Sequence, residues 1–325
     1  MATLAAPEQA IGLDVGGTKV AAMRVAADGS IQDQALVHTP MVDAEELLSS
    51  AAKLARSLMT DQVRAIGVGA TGLIDFAAGS LRYSPNLPYR DVPIRDRVTE
   101  ETGLPCLVDN DANVAAWAEF KVGAGRGTTD MLMVTVGTGI GGGIVSGGRM
   151  FRGAHGFGAE IGHVIVEPNG PPCGCGNLGC WEQVACGRAI DRLGRDQAAA
   201  SPSSLMVRLA GGDPAAVTGP IVVQAAHEGD PPAMAVLAEV GKRLGEGMAG
   251  MANILDPQIV VVGGGAISAG DLLLEPARAA FTRAIMAPEY RPQVPIVPAQ
   301  MGNAAGAIGA ALLALDELIA PRAQE

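Results

Sequence analysis

IGLDVGGTKVAAMRV, residues 11–25, decides the fold. Two runs of β-branched and small apolar residues flank a Gly-Gly-Thr turn, which is the pattern of a β-hairpin. A second stretch, MLMVTVGTGIGGGIV (131–145), repeats the form. It carries Gly137-Thr138-Gly139 in its turn, where the first has Gly17-Thr18-Lys19. Around the first hairpin, residues 45–59 repeat apolar side chains at helical spacing (Leu47, Ala51, Ala55, Leu58). A strand-like AIGVGA (65–70), a proline-bearing loop SPNLPY (84–89), a short strand PCLVDND (105–111) and a helical stretch 112–122 follow. Beyond the second hairpin come a loop-rich, cysteine-bearing segment (153–187), helices over 190–255, a buried-type strand QIVVVGGG (258–265) and a closing helix over 304–319. Strands alternating with helices predict α/β layers. The two similar openings predict a duplicated fold of two domains with a cleft between them. The expected division is a small α/β domain over 1–110, with the helix 304–325 packing back on it, and a larger domain over 111–303.

Composition narrows the function classes. The chain has 325 residues, enough for two domains with substantial cores. Hydrophobic residues make up 48% and charged residues 18%, which excludes global disorder. Glycine, at 44 residues, is about twice its usual share, yet it follows no three-residue period, so collagen is excluded. With 23 Lys+Arg against 34 Asp+Glu the formal charge is −11, which argues against non-specific binding to nucleic acid or to an anionic membrane. Five cysteines are too few for a disulfide scaffold. No run approaches the roughly 18 unbroken apolar residues of a membrane helix. The opening MATLAAPEQA lacks the basic start and apolar run of a signal peptide. A soluble cytoplasmic protein is expected.

Three glycine clusters each end an apolar strand: DVGGTK (14–19), VGTGIGGG (136–143) and VGGG (262–265). In the first, Gly16 and Gly17 remove side chains that would keep a phosphate from backbone N–H groups. Thr18 adds a hydroxyl, Lys19 a charge, and Asp14 can hold Mg²⁺ through water. Taken alone, this hexapeptide reads equally well as a hairpin turn with a surface lysine, and it is neither of the common nucleotide-binding fingerprints. The three clusters together fit backbone wrapped around one nucleotide, since ligands of open α/β sheets collect at strand ends.

VDNDAN (108–113) sets two carboxylates just before a helix. Asn110 or Asp111 would serve as a helix N-cap. One carboxylate can also act as a general base toward a substrate hydroxyl. The two roles are compatible if different residues take them. Cys173, Cys175 and Cys180, with His163 ten residues upstream of the first, complete a Cys₃His shell, a closed structural zinc site. Cys106 and Cys186 read as core residues. Zinc at this position would hold Glu160 and Glu182 near one another, where their carboxylates can accept hydrogen bonds from a polyol; without it both read as solvated surface glutamates. His155 and His227 have no such context.

These residues resemble the ROK family of sugar kinases and repressors. The resemblance runs from Ile11 to the C-terminal helix and includes LDVGGTK (13–19), VDNDAN, GAHGFGAEIGH (153–163) and CGCGNLGCWE (173–182). It implies an actin-like, ribonuclease H-like duplicated fold whose two α/β domains close on a sugar. The implied activity is ATP-dependent phosphorylation of the 6-hydroxyl of glucose, with N-acetylglucosamine, N-acetylmannosamine, mannose or fructose as alternative substrates. Asp111 matches the catalytic base. Asn86, Asn110, Glu160, His163 and Glu182 match sugar-binding positions. Asp14, Gly16, Gly17, Thr18 and Lys19 match the first phosphate motif, Thr138 and Gly139 the second, and Gly263, Gly264 and Gly265 the adenosine side. His163, Cys173, Cys175 and Cys180 match the zinc ligands, within a loop over 163–180. The cysteine cluster favours ATP over polyphosphate as donor. A homo-oligomer, dimer or tetramer, is common among such proteins. The family's repressors place a helix-turn-helix domain ahead of the kinase-like part; only ten residues precede Ile11 here, so a DNA-binding regulator is not expected.

Overall fold

A computed structural model describes residues 8–40, 43–84 and 88–319. In chain order the elements are β1 (Gln9–Val15), β2 (Lys19–Ala26), β3 (Ile31–His38), α1 (Ala44–Ser57), β4 (Val63–Ala70), β5 (Leu73–Asp75), β6 (Ser80–Tyr83) and β7 (Arg90–Val92). They continue with α2 (Ile94–Thr102), β8 (Cys106–Asn110), α3 (Asp111–Val122), β9 (Met131–Val136), β10 (Ile140–Ser146) and β11 (Arg149–Met150). The remainder is α4 (Glu182–Ala185), α5 (Gly187–Ala200), α6 (Leu205–Leu209), α7 (Gly219–His227), α8 (Pro231–Leu255), β12 (Ile259–Gly263), α9 (Asp271–Ala284), β13 (Ile296–Pro298) and α10 (Ala305–Ala314). Two five-stranded sheets run in the orders β3-β2-β1-β4-β8 and β11-β10-β9-β12-β13, and β5-β6-β7 form a small third sheet.

The chain divides into two compact units, residues 1–131 with 143–159 and 299–325, and residues 132–142 with 160–298. The expected boundary at Asp111 therefore falls inside the first unit. The reason is packing: every residue of α3 from Ala112 to Phe120 is buried, and α3 lies against α10 within that unit.

In the first unit the hairpin at 11–25 forms as its pattern requires, with Val15 opposite Val20 and Asp14 opposite Ala21. β1, β4 and β8 run parallel, and the register sets Asp14 beside Gly69 and Gly69 beside Asp109. Their C-terminal ends thus lie abreast, the place where α/β sheets hold ligands. α1 starts at Asp43, whose carboxylate accepts the N–H of Glu46 at 2.6 Å, and turns Leu47, Leu48, Ala51 and Leu54 into the core. α10 lies against β1 and β4. A Cβ at Gly12 would overlap the carbonyl of Ala307, and one at Gly67 the carbonyl of Ala310. On its other side Gly309 meets the carbonyl of Val114 in α3. Glycine is thus what brings helix and sheet backbones into contact. The helical stretch 302–319 is long and apolar enough to cross a membrane, but 56% of it is buried inside the fold, and Asp316 and Glu317 interrupt it. It is a core helix.

The second unit is mainly helical over 187–255, as the sequence pattern indicates. Gly241 and Gly245 of α8 sit against the carbonyls of Leu273 and Ala277 in α9, a second glycine-mediated close contact. β12 is wholly buried.

Candidate active site

The β8–α3 junction assigns each residue of Asp109-Asn110-Asp111 a separate task. Asn110 is the helix cap: its side-chain oxygen accepts the N–H groups of Ala112 (2.8 Å) and Asn113 (3.3 Å). Asp109 is almost fully buried. Its carboxylate accepts from the N–H of Asn110 (2.7 Å), the amide of Asn113 (2.8 Å) and Nε of Arg152 (2.7 Å). Asp111, the first residue of α3, neither caps the helix nor pairs with Arg152. Its Oδ1 accepts the N–H of Ala112 at 2.9 Å and its Oδ2 the hydroxyl of Thr71 at 2.8 Å. Burial pushes its pKa above the usual carboxylate range, opposed by those two donors. A carboxylate whose proton affinity is raised at a sheet's ligand edge suits a general base.

Asp14, one strand away, is shifted in the same direction, to about 6, by burial first and by the charge of Asp111 second, with Lys19 opposing. Two carboxylates that each resist ionisation form a donor set that favours a hard divalent cation. The 16–18 turn is pinned from outside: Gly16 N–H reaches the carbonyl of Lys19 (3.1 Å), and the Thr39 hydroxyl donates to the carbonyl of Gly16 (2.6 Å). Thr18 and Lys19 remain exposed.

In the second unit the other two glycine clusters lie at the ends of adjacent strands, β9 and β12. Open space surrounds the place where a Cβ would sit at Gly137 and at Gly265, so neither glycine is required by packing. Gly264 is different: φ is +87° and a Cβ there would lie 2.5 Å from the carbonyl oxygen of Val136, so only glycine fits. At Gly139 a Cβ would collide with the carboxylate of Glu182, which places that carboxylate directly beside the Gly137–Gly139 turn.

His163, Cys173, Cys175 and Cys180 come together, with one ligand atom from each all within 4.8 Å of one another. Cys175 Sγ lies 3.6 Å from Cys180 Sγ, and Cys173 Sγ lies 3.6 Å from His163 Nδ1. Tetrahedral zinc at the usual bond lengths requires ligand separations of about 3.6–3.8 Å, so the residues fit that ion. The backbone N–H of Asn177 draws the Cys175 thiol down to about 7, while burial holds Cys180 at about 12. A cation would supply what Cys180 lacks. All five cysteines are free thiols, and Cys106 and Cys186 are buried as core residues. His163 turns Nδ1 to the cluster, leaving Nε2 for another partner. Glu160 and His163 are the two ends of one 3₁₀ turn, joined by the His163 N–H to the Glu160 carbonyl (3.1 Å). Glu182 begins α4 two residues after Cys180; its Oε1 lies 3.2 Å from Cys173 Sγ and 3.3 Å from Nη2 of Arg188. Glu160, His163 and Glu182 thus lie in one unit with the three cysteines. Asn86 lies outside the described residues. His227 bonds to the carbonyl of Ser268 (3.1 Å), remote from these groups in sequence.

The structure adds residues that the motifs do not reveal. Arg152 joins Asp109 to Glu317 (2.8 Å) and stacks 3.8 Å from the ring centre of Phe76. Glu119, fully buried, accepts the N–H groups of Ala124, Gln300 and Met301, tying α3 to the chain entering α10. Apart from Ala124, their partners are far away in sequence, so no local spacing signals them.

The fold is of the actin-like class of ATPase folds in its sugar-kinase form. The chain belongs to the ROK family, whose model matches residues 10–317. A glucokinase of Streptomyces coelicolor is 39% identical over 94% of this chain and 96% of its own. An N-acetylmannosamine kinase of Escherichia coli is 34% identical over 94% of this chain and 98% of its own. A crystal structure of a ROK family glucokinase from Streptomyces griseus, in complex with glucose and AMPPNP, is 40% identical with a TM-score of 0.83. The match covers 94% of this chain and 99% of that one.

Proposed function

We propose that this protein is an ATP-dependent glucokinase that phosphorylates the 6-hydroxyl of glucose, with Asp111 as general base. The observation that carries the reading is the division of labour at 109–111. Because Asn110 caps α3 and Asp109 pairs with Arg152, the carboxylate of Asp111 is free to take a proton. Relatives at 39–40% identity over nearly the whole chain bear the glucokinase name.

The hydroxyl oxygen of the sugar attacks the terminal phosphoryl group of ATP in line. Its O–H proton passes to the Asp111 carboxylate as the O–P bond forms, and ADP leaves. Asn110, Glu160, His163 and Glu182 are assigned to the sugar hydroxyls, together with Asn86. The turn at Asp14–Lys19, Thr138 with Gly139, and Gly263–Gly265 are assigned to the nucleotide, whose phosphates they approach through backbone N–H groups. Mg²⁺, held at Asp14, would supply positive charge to the phosphates. Zinc on His163, Cys173, Cys175 and Cys180 would be structural. A net charge of −11 is compatible with an anionic substrate on this reading, because backbone N–H groups, Lys19 and the cation provide the local positive potential. The cluster of reduced thiols fits a cytoplasmic location, and a homo-oligomer is proposed.

A coupled assay with glucose, N-acetylglucosamine, N-acetylmannosamine, mannose and fructose, against ATP and polyphosphate, tests the proposal. Glucose with ATP is expected to give the highest kcat/KM. A higher value for N-acetylmannosamine would favour the second reading, which the 34% identical Escherichia coli kinase supports.

A further inference from the structure

The turn that ends β4 grips both residues assigned to the reacting hydroxyl. Thr71 is tied to β1 through its N–H and the carbonyl of Val15 (3.3 Å), and its hydroxyl donates to Oδ2 of Asp111 (2.8 Å). Gly72 follows at φ +126°, a conformation open to glycine, and a Cβ there would lie 2.9 Å from Cα of Ser84. Its carbonyl accepts the side-chain amide of Asn110 at 3.0 Å. Two successive residues of one fixed turn thus hold two successive residues of β8–α3.

An aspartate's terminal torsion is soft, so one anchor does not fix the carboxylate plane. The N–H of Ala112 holds Oδ1, and by itself it leaves Oδ2 free to swing about that contact. The Thr71 hydroxyl is the second anchor. Each carboxylate oxygen has two acceptor positions, so holding one on Oδ2 still leaves another for a substrate proton. Valine at 71 would keep the shape and remove only the donor.

We propose that Thr71 is a positioning residue for the reaction: its hydroxyl, set by the rigid Thr71–Gly72 turn, fixes the plane of the Asp111 carboxylate so that its free lone pair meets the sugar hydroxyl. The inference rests on Asp111 being the base.

Four variants test it: Thr71→Val, Thr71→Ser, Asp111→Asn and the Thr71→Val/Asp111→Asn double. For each, kcat, the KM for glucose, glucose binding by calorimetry and the thermal midpoint are measured. Thr71→Val is expected to lose about 10- to 100-fold in kcat while glucose affinity stays within about twofold, the signature of lost alignment rather than lost binding. Thr71→Ser should restore most of the rate. The double variant should be no slower than Asp111→Asn alone, because Thr71 acts only through that carboxylate. Thr71→Ala, which removes the hydroxyl without adding bulk, gives the same reading if the valine variant is unstable. A Thr71→Val enzyme with unchanged kcat, a serine variant as slow as valine, or a loss confined to KM would overturn the proposal while Asp111→Asn is inactive. Near-normal turnover by Asp111→Asn would instead sink the assignment of the base.

Discussion

Asp111 and Glu182 are both acidic residues at the first position of a helix, and they are held by opposite means. Asp111 opens a twelve-residue helix whose interior is buried from Ala112 to Phe120. Glu182 opens a helix of only four residues, too short to stabilise itself. Around Asp111 the order comes from apolar packing, backbone contact through glycines, and a ring of hydrogen bonds. Around Glu182 it comes from Trp181, buried with its Nε1 on the carbonyl of Arg243 (3.0 Å), and from the Cys₃His cluster. The segment between leaves Val164, Ile165, Val166 and Leu178 exposed, so it has little core of its own. A chemical group can therefore be placed either by a large volume of packed chain or by four ligand atoms around one ion, and the second needs far fewer residues.

The comparison can be broken from either side. The largest effect is expected at Asp111→Asn, which should lower kcat by about 10²–10⁴-fold while glucose still binds in a calorimeter. Next is Cys175→Ser. It should lose the metal and weaken glucose binding by about 10- to 100-fold as Glu160 and Glu182 lose their tether. Zinc analysis beside calorimetry would expose the failure: a metal-free enzyme with full affinity means the ion does not place them. In the packed region, Gly309→Ala forces α10 off α3 and should cost about 3 kcal/mol of stability, read as a lower midpoint in denaturant. Zinc content should be unchanged in that variant.

The smallest effect concerns Asp14. Its pKa is about 6 in the fold against 3.8 ordinarily, so between those values the folded chain binds more protons than the unfolded one. Stability contributed at this site therefore falls as pH rises through that window and stays low above it. Asp14→Asn should make the nucleotide-free protein more stable by about 1–2 kcal/mol at pH 7.5, a figure reduced for partial solvent screening, and should make no difference near pH 3. Equal stability of the two proteins at pH 7.5 would show that the carboxylate is not strained there.

Much of this was legible in the sequence because it is local. The hairpin at 11–25 carries its own alternation and turn, and the cysteine cluster declares itself within eight residues plus one histidine. The Asn110 cap and the free Asp111 were both among the options that VDNDAN offers, though spacing could not say which residue took which task. Long-range partnerships left no trace. Nothing in AIGVGAT shows that Thr71 meets a residue 40 positions later, nor that Arg152 neutralises Asp109. The short strands β5, β6 and β7 have too few residues for a period to emerge. The glycine excess is legible at strand ends, where Gly137 and Gly265 do leave open space. Gly12, Gly67 and Gly309 owe their identity to α10, whose arrival no neighbouring residue announces. For the same reason α3 looks like a beginning in sequence, yet it packs with β4 and β8 before it and with α10.

The place of α10 also imposes an order on synthesis. Gly12 and Gly67 emerge from the ribosome early, yet the helix that covers them is made after the whole of 160–298. Until then one face of the β1–β4 sheet is bare apolar backbone and side chain, a surface prone to aggregation. The second unit, nearly all one continuous stretch, has its residues in hand by Pro298. On this connectivity the nascent protein has the residues of the unit that carries the Cys₃His cluster before it has all those of the unit that carries Asp111. Truncation within the last helix removes the wedge from a finished-looking sheet, so loss of its turns should disorder the unit that carries Asp111 while leaving the Cys₃His cluster intact.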